Sequence, residues 1–255
     1  MLNNIKIVLV ETTHPGNIGA VARAMKTMNL THLCLVNPKI FPHVAATARA
    51  AGADDLLANA QIVATLNEAL VNCKLIVGTS ARERTLPMPL LTPHAAAKQI
   101  IAEARGNEVA IVFGRESNGL TNEELQLCQY HINIPANLEF SSLNIASAVQ
   151  LIAYEIKMAS GMVAEEFHDN SLNYDELASF SEIEMFYKHL EDVLKEIDFL
   201  QTDKSVYLMQ RLRRLYNRAR LEKLEVNILR GMLSAMQRIK LRTQQSQPLT
   251  PSWKR

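Results

Sequence analysis

No stretch of this 255-residue chain approaches the roughly 20 consecutive apolar residues that a membrane-spanning helix requires. The N-terminal segment Met1-Leu-Asn-Asn-Ile-Lys6 runs straight into an apolar strand pattern and does not read as a secretory leader. Cysteine is scarce. Cys34, Cys73 and Cys128 stand far apart in apolar surroundings, which argues against a disulfide framework and predicts buried, reduced thiols in a cytoplasmic protein. The seven histidines include no HxxxH pair, and no Cys or His spacing suits a metal, so none is expected. Three common signatures are missing as well. There is no GxxxxGK[ST] loop to cradle phosphates, no GxGxxG dinucleotide turn and no GxSxG nucleophile elbow. Those absences remove the commonest α/β enzyme classes. Aromatics are few, but nearly half the residues are hydrophobic, as in a soluble globular protein.

Charge, by contrast, is present in quantity and unevenly placed. Residues 1–164 carry 12 basic and 12 acidic side chains, net 0. Residues 165–200 carry 2 basic and 11 acidic ones, net −9, and residues 201–255 carry 13 basic and 3 acidic ones, net +10. A basic segment of that kind is a candidate polyanion-binding surface. The same pattern also suits a solvated helical face neutralised by the acidic segment before it.

The first 164 residues alternate short apolar runs with helical periodicity. Strands are expected at 5–10, 33–36, 75–78, 109–113 and 131–134, and helices at 17–28, 93–104, 121–129 and 144–159. This predicts an α/β fold with a mostly parallel sheet covered on both faces. Thr121 and Glu124 form a capping box, and Asn17, after Pro15-Gly16, is a plausible helix cap. Residues 163–174 read as a polar, acidic linker. Residues 165–242 then form a small α-helical domain, and residues 243–255 a disordered tail. Ser181 and Glu184 suggest a second capping box, opening a helix with Ile183, Phe186, Leu190, Val193, Leu194 and Ile197 on one face. Further helices are expected at 205–222 and 226–241. In the first of these, Leu208, Leu212, Leu215 and Ala219 form an apolar stripe, while Arg211, Arg214 and Arg218 share another face near Tyr207 and Tyr216. An arginine row suits phosphate contact because its guanidinium forks are bidentate and always charged.

Three strand-to-loop junctions carry Arg, Glu, Ser and Asn where ordinary turn chemistry would serve. Ile7-Val-Leu-Val10 leads into Pro15-Gly-Asn-Ile-Gly19 and a helix bearing Arg23. Ile111-Val-Phe113 leads into Gly-Arg-Glu-Ser-Asn-Gly-Leu120, and the strand ending near Ile134 leads to Ser141-Ser-Leu-Asn-Ile-Ala-Ser-Ala148. Ligands bind at the carboxyl ends of strands in open α/β sheets, so the three loops are expected to build one composite site. His14 lies near the first of them, but a lone loop histidine usually just faces solvent.

Asn17-Ile-Gly-Ala-Val-Ala-Arg23, Phe113-Gly-Arg-Glu-Ser-Asn-Gly-Leu120 and Ser142-Leu-Asn-Ile-Ala-Ser-Ala-Val149 resemble, in order, the three motifs of the SPOUT RNA 2′-O-methyltransferases, the TrmH-like group. The resemblance covers about residues 1–164. The stretches Arg211-Leu-Arg-Arg-Leu-Tyr-Asn-Arg-Ala-Arg220 and Glu225-Val-Asn-Ile-Leu-Arg-Gly-Met232 are similar to members that methylate nucleotide 32 of the tRNA anticodon loop. The resemblance implies a parallel sheet ending in a trefoil knot, a homodimer packed through the knot helices, and S-adenosylmethionine held largely by backbone groups. On this chain Thr79, Ser80, Ala81, Gly114, Ile134, Ser141, Ser142 and Leu143 would bind that cofactor. Arg23 would act on the ribose hydroxyl and contact RNA, and Glu116 would orient an arginine or accept a cofactor hydrogen bond. Ser142 and Asn144 would hold the loop and the ribose, and Arg211, Arg214 and Arg218 would contact tRNA. The helix 144–159 suits the dimer through Ile145, Val149, Ile152 and Ile156, widened by Ala148, Leu151 and Ala159, although that face also suits burial in its own domain.

The chemistry constrains the roles independently. A ribose hydroxyl is a poor nucleophile until it loses its proton, and the methyl donor is a sulfonium cation, so charge disappears in the transition state. A dry, ordered pocket that holds oxygen, carbon and sulfur in line therefore helps. A guanidinium stays protonated, with a pKa above ~12, so Arg23 is read as an electrostatic group, not a literal base. Methylation at another tRNA or rRNA position, or a non-catalytic RNA-binding protein on the same scaffold, are the competing readings.

Overall fold

The apolar runs line up as a parallel sheet. The structure, a computed structural model, describes residues 1–80, 89–137, 139–162, 176–200 and 205–245. Among these, seven strands form one sheet: β1 (Ile5–Val10), β2 (His32–Val36), β3 (Gln61–Val63), β4 (Cys73–Thr79), β5 (Leu90–Leu91), β6 (Glu108–Phe113) and β7 (Tyr130–Ile132). Their order is β3-β2-β1-β6-β4-β7-β5, and every pairing is parallel. Burial on both faces explains why β1 and β6 are near-continuous Val/Ile/Leu runs without polar alternation. The chain lays β4 down before β6, then inserts β6 between β1 and β4, and β7 between β4 and β5. The loops after β1, β4, β6 and β7 are thereby gathered at one edge of the sheet's centre.

Helices α1 (Pro15–Thr27), α2 (Val44–Ala50), α3 (Asp54–Ala58), α4 (Leu66–Leu70), α5 (Pro93–Glu103), α6 (Asn122–Gln126) and α7 (Ile145–Met162) complete this unit. The face of α7 bearing Ile145, Val149, Ile152 and Ile156 lies in the core with α1 and α5 residues, so it serves its own unit and is not a free dimer face. Leu151, Tyr154 and Met158 are exposed on the same helix. All three cysteines are buried free thiols. Burial pushes the Cys34 thiol up to about 11 and the Cys73 thiol to about 12, so neither is a ready nucleophile.

The chain divides into two compact units, Met1–Leu172 and Asn173–Arg255. The second holds α8 (Phe180–Glu196), α9 (Ser205–Ala219) and α10 (Lys223–Gln245). Phe186 and Tyr216 meet edge-on, with centroids 4.9 Å apart, and the buried Tyr187 hydroxyl donates to Asn217 Oδ1 at 2.8 Å. These contacts rotate α9 from its expected setting. Leu208 and Leu212 pack inward, but Leu215 and Ala219 are exposed, and Met209, Tyr216 and Asn217 take the inner face. The capping box of α8 is Ser179 with Glu182, two residues earlier than Ser181 with Glu184, while Thr121 and Glu124 cap α6 as expected. Residues 243–245 of the expected tail belong to α10; the rest of it and the expected linker lie outside the described residues.

Candidate active site

The loop after β6 is shaped by two glycines. A side chain on Gly114 would place its Cβ 2.1 Å from the Gly119 carbonyl carbon, so only glycine lets the loop double back. Gly119 closes it at φ +69° and exchanges backbone hydrogen bonds with Arg115 at 2.9 and 3.2 Å. The Arg115 guanidinium is engaged by carboxylates. Its Nε donates to Glu11 at 2.9 Å, and its two terminal nitrogens donate to the Glu124 carboxylate at 2.9 and 3.0 Å. The hydrogen bonds to Glu124 outweigh burial and, with those to Glu11, raise the guanidinium above its ordinary pKa. Arg115 was not anticipated as a site-building residue. Glu11, its partner, lies 104 positions away in sequence, and no local pattern announces such a pair.

Glu116 joins the motifs. Its Oε2 accepts from the Thr13 amide and hydroxyl at 3.1 and 3.0 Å. Its Oε1 accepts from the His14 amide at 3.3 Å and from Asn17 Nδ2 at 2.9 Å. Desolvation pushes this carboxyl up, but the hydrogen bonds from Asn17, the local backbone, Thr13 and His14 prevail and hold it below the usual carboxylate range. Glu116 is thus committed to the first loop and, among the described residues, pairs with no arginine. Asn17 passes the connection on, since its Oδ1 accepts from Asn144 Nδ2 at 3.1 Å. Asn144 Oδ1 accepts from the Ala146 amide at 2.9 Å, capping α7. One chain of side chains, Glu116–Asn17–Asn144, therefore pins together three segments that the sequence holds far apart.

Asn17 does not cap α1. Pro15 occupies the first helical turn and His14 is the cap, with Nδ1 accepting from the Gly16 amide at 3.1 Å. Proline's preference for that position was the signal that could have placed the cap. His14, read as idle, shapes the helix start.

These loops wall a cavity of about 530 Å³. Its lining includes Thr79 and Ser80 at the end of β4, Gly114 to Leu120 after β6, Ile132 and Ile134 at the end of β7, and Glu139 to Ile145 leading into α7. The structure thus brings together Thr79, Ser80, Gly114, Glu116, Ile134, Ser141, Ser142, Leu143 and Asn144. Ala81 lies outside the described residues. Two hydrogen bonds brace the mouth: Ser80 N–H donates to the Ile132 carbonyl at 3.0 Å, and the Asn133 side-chain Nδ2 donates to the Ser80 carbonyl at 3.0 Å. Phe140 stands 80% exposed at the rim. The volume falls within the roughly 300–1,000 Å³ typical of small-molecule sites. Among the described residues, no three Asp, Glu, His or Cys side chains converge as metal ligands.

Arg23 is not part of that lining. It sits on α1 six residues beyond Asn17, roughly 9 Å along the helix axis, exposed and without an ion pair among the described residues. Arg211, Arg214 and Arg218 sit on α9 of the second unit. Arg211 lies over the Tyr207 ring, 4.9 Å from its centroid, and none of the three is paired with a carboxylate among the described residues. Their neighbour Arg213 is instead the internal one. It is bidentate with Glu184 and covers the Tyr187 ring at 4.4 Å.

Residues 4–154 match the SpoU rRNA methylase family, and residues 181–247 match the C-terminal domain of the tRNA methyltransferase TrmJ. The chain is 51% identical over 246 residues to the tRNA (cytidine/uridine/adenosine-2′-O-)-methyltransferase TrmJ of Pseudomonas aeruginosa, covering 94% of this chain and 96% of that one. It is 53% identical over 239 residues to the tRNA (cytidine/uridine-2′-O-)-methyltransferase TrmJ of Salmonella choleraesuis, covering 93% and 98%. The crystal structure of TrmJ from Z. mobilis superposes with a TM-score of 0.79 at 32% identity, covering 91% of this chain and 98% of that one.

Proposed function

The chain belongs to the SpoU methylase family, and from that premise we propose that it methylates the ribose 2′-hydroxyl of nucleotide 32 in the tRNA anticodon loop, using S-adenosylmethionine. The observation that carries this reading is the Glu116–Asn17–Asn144 chain, which fastens the segments that follow β6, β1 and β7 around one cavity. Similarity to TrmJ proteins over more than nine-tenths of the chain supplies the substrate class.

The cavity suits the cofactor. Bare backbone at Gly114, hydroxyls at Thr79, Ser80, Ser141 and Ser142, and apolar surface at Ile134 and Leu143 match a bent nucleoside-like molecule. Those residues, with Ala81, would hold it, and the group supplies a methyl bound to a cationic sulfur. The protein's own part is placement and electrostatics. Ser142 and Asn144 hold the ribose beside the cavity mouth, with Asn144 fixed by its bonds to Asn17 and the α7 backbone. Arg23 stabilises the forming alkoxide and grips an adjacent phosphate, and the proton leaves through that phosphate or through water. Glu116 acts as a positioning residue, because its oxygens are occupied by Thr13, His14 and Asn17. Nothing in this chemistry calls for a metal.

Residues 1–164 then form the methyltransferase domain, with the knotted sheet expected of the family, and residues 165–242 recognise tRNA. The exposed Leu151, Tyr154 and Met158 on α7 support a homodimer built on that helix. The test is to incubate unmodified tRNA with the full chain and labelled S-adenosylmethionine, then map ribose methylation. Label at the 2′-hydroxyl of nucleotide 32 is expected. Arg23→Ala should lower the rate at least ~100-fold while S-adenosylhomocysteine still binds. Methylation only at other positions, or none on tRNA, would refute the assignment.

A further inference from the structure

The arginine row on α9 has an aromatic residue at its head. Tyr207, Arg211, Arg214 and Arg218 follow one another at spacings of four, three and four, so they run along one face of the helix. That face differs in kind from the Arg213 contact on the same helix. Arg213 also lies over a tyrosine ring, but Tyr187 is buried and Glu184 takes both guanidinium nitrogens. The internal arginine is neutralised by Glu184 and its ring partner is buried. Arg211 covers Tyr207 with no carboxylate beside it among the described residues, and Tyr207 remains 53% exposed. Ring surface beyond the arginine contact is therefore open to solvent, next to unneutralised positive charge, in the segment of net charge +10.

A guanidinium stacked on a phenol is a flat, cationic, half-wetted surface. Unpaired nucleobases stack on such surfaces, because every base has a π-face and the attached phosphate is drawn to the arginines alongside. A duplex offers no free base face, so the surface selects looped or single-stranded RNA. Resting on the reading of the helical unit as the part that recognises tRNA, we propose that Tyr207, steadied by Arg211, is a stacking platform for one unpaired base of the RNA. Arg214 and Arg218 take the phosphates that follow. Arg211 thereby serves the ring first and the backbone second.

Stacking and phosphate binding leave different signatures in tRNA binding by the full-length protein. Removing a stacked base weakens binding without changing how many counterions are released, whereas releasing a phosphate flattens the salt dependence. Tyr207→Ala should weaken tRNA binding about tenfold with the slope of log affinity against log salt unchanged. Tyr207→Phe, which keeps the ring, should bind like the parent. Because Tyr207 is exposed, the thermal melting of both variants should match the parent. The platform is overturned if Tyr207→Ala binds tRNA within twofold of the parent, or if its weaker binding comes with a flattened slope. The double variant Arg214→Gln with Arg218→Glu separates this from the underlying reading. If the double variant weakens binding and Tyr207→Ala does not, only the platform fails. If neither does, recognition by the helical unit fails and the platform fails with it.

Discussion

Arg115 beside the cavity and Arg218 on α9 put the same side chain to opposite uses. Arg115 is consumed by structure: two carboxylates from distant parts of the chain, Glu11 and Glu124, take three of its donors. Arg218 is exposed and makes no ion pair among the described residues. The contrast extends to the units around them. In the first unit, balanced charge is organised inward, tying the loops that build a small-molecule cavity. In the second, the acidic residues of α8 and of the segment before it neutralise only part of the basic helices. Glu184 takes Arg213, Glu176 takes Lys223, and the row at 211, 214 and 218 is left over. A surplus that folding has not consumed is available to a polyanion, whereas an arginine in a polar site loop need not touch substrate at all.

The sharpest way to break this contrast is to remove Arg115. Arg115→Ala leaves Glu124 and Glu11 facing each other in a half-buried setting and unlatches the loop after β6. We expect a stability loss of about 3 kcal/mol, read as a fall in melting temperature of roughly 10 °C. Arg115→Lys should recover little of it, because an ammonium cannot reproduce the bidentate contact to Glu124. If Arg115→Ala kept its melting temperature but lost RNA binding, the assignment of Arg115 to structure would be wrong.

The opposite result is expected on α9. Arg214→Gln with Arg218→Glu should leave the melting temperature nearly unchanged, since neither residue is paired with a carboxylate among the described residues. Binding to tRNA should weaken about thirtyfold at moderate salt, and the salt slope should flatten by about 2, one for each phosphate no longer held. A large drop in stability with unchanged binding would move these arginines to the same class as Arg115.

How much of this was legible in the sequence follows from the range of each interaction. The strands β1, β2, β4 and β6 were readable because a parallel sheet buried on both faces demands unbroken apolar runs. The edge strands β3 and β5, three and two residues long, leave no periodicity to detect. The short helices α2, α3 and α4 were missed for the same reason, although Thr65 accepting from the Glu68 amide is a local cap that the sequence displays. The overlapping Ser-x-x-Glu frames at 179 and 181 are degenerate in sequence. Tertiary demand resolves them, because Glu184 is needed by Arg213 and Phe180 must be buried. The membership of the cavity was largely readable from the three motifs. What fastens it was not, since Glu116–Asn17 and Asn17–Asn144 span 99 and 127 positions.

The smallest and most diagnostic test concerns that fastening. Glu116 accepts two donors on each carboxylate oxygen. In Glu116→Gln, whichever way the amide turns, its NH₂ faces a backbone N–H that cannot accept, that of Thr13 on one side or His14 on the other. The loss should be about 1.5 kcal/mol at pH 7, at the lower end for hydrogen bonds to a charged group because the site is open to water. The pH dependence has a definite sign. The Glu116 pKa is depressed in the folded protein from an ordinary value of 4.5, so its stabilisation is fully present above the unfolded value and disappears as pH falls through the folded one. The melting difference between parent and Glu116→Gln should therefore be constant from pH 8 to about pH 5 and shrink as pH falls below the ordinary carboxylate value of 4.5. The joint also feeds Asn17 and then Asn144, so S-adenosylhomocysteine affinity should drop several-fold at neutral pH and converge with the parent in the same acid range. A variant that lost stability equally at every pH would show that Glu116 acts through its shape alone, and the first and third loops would then need another tie.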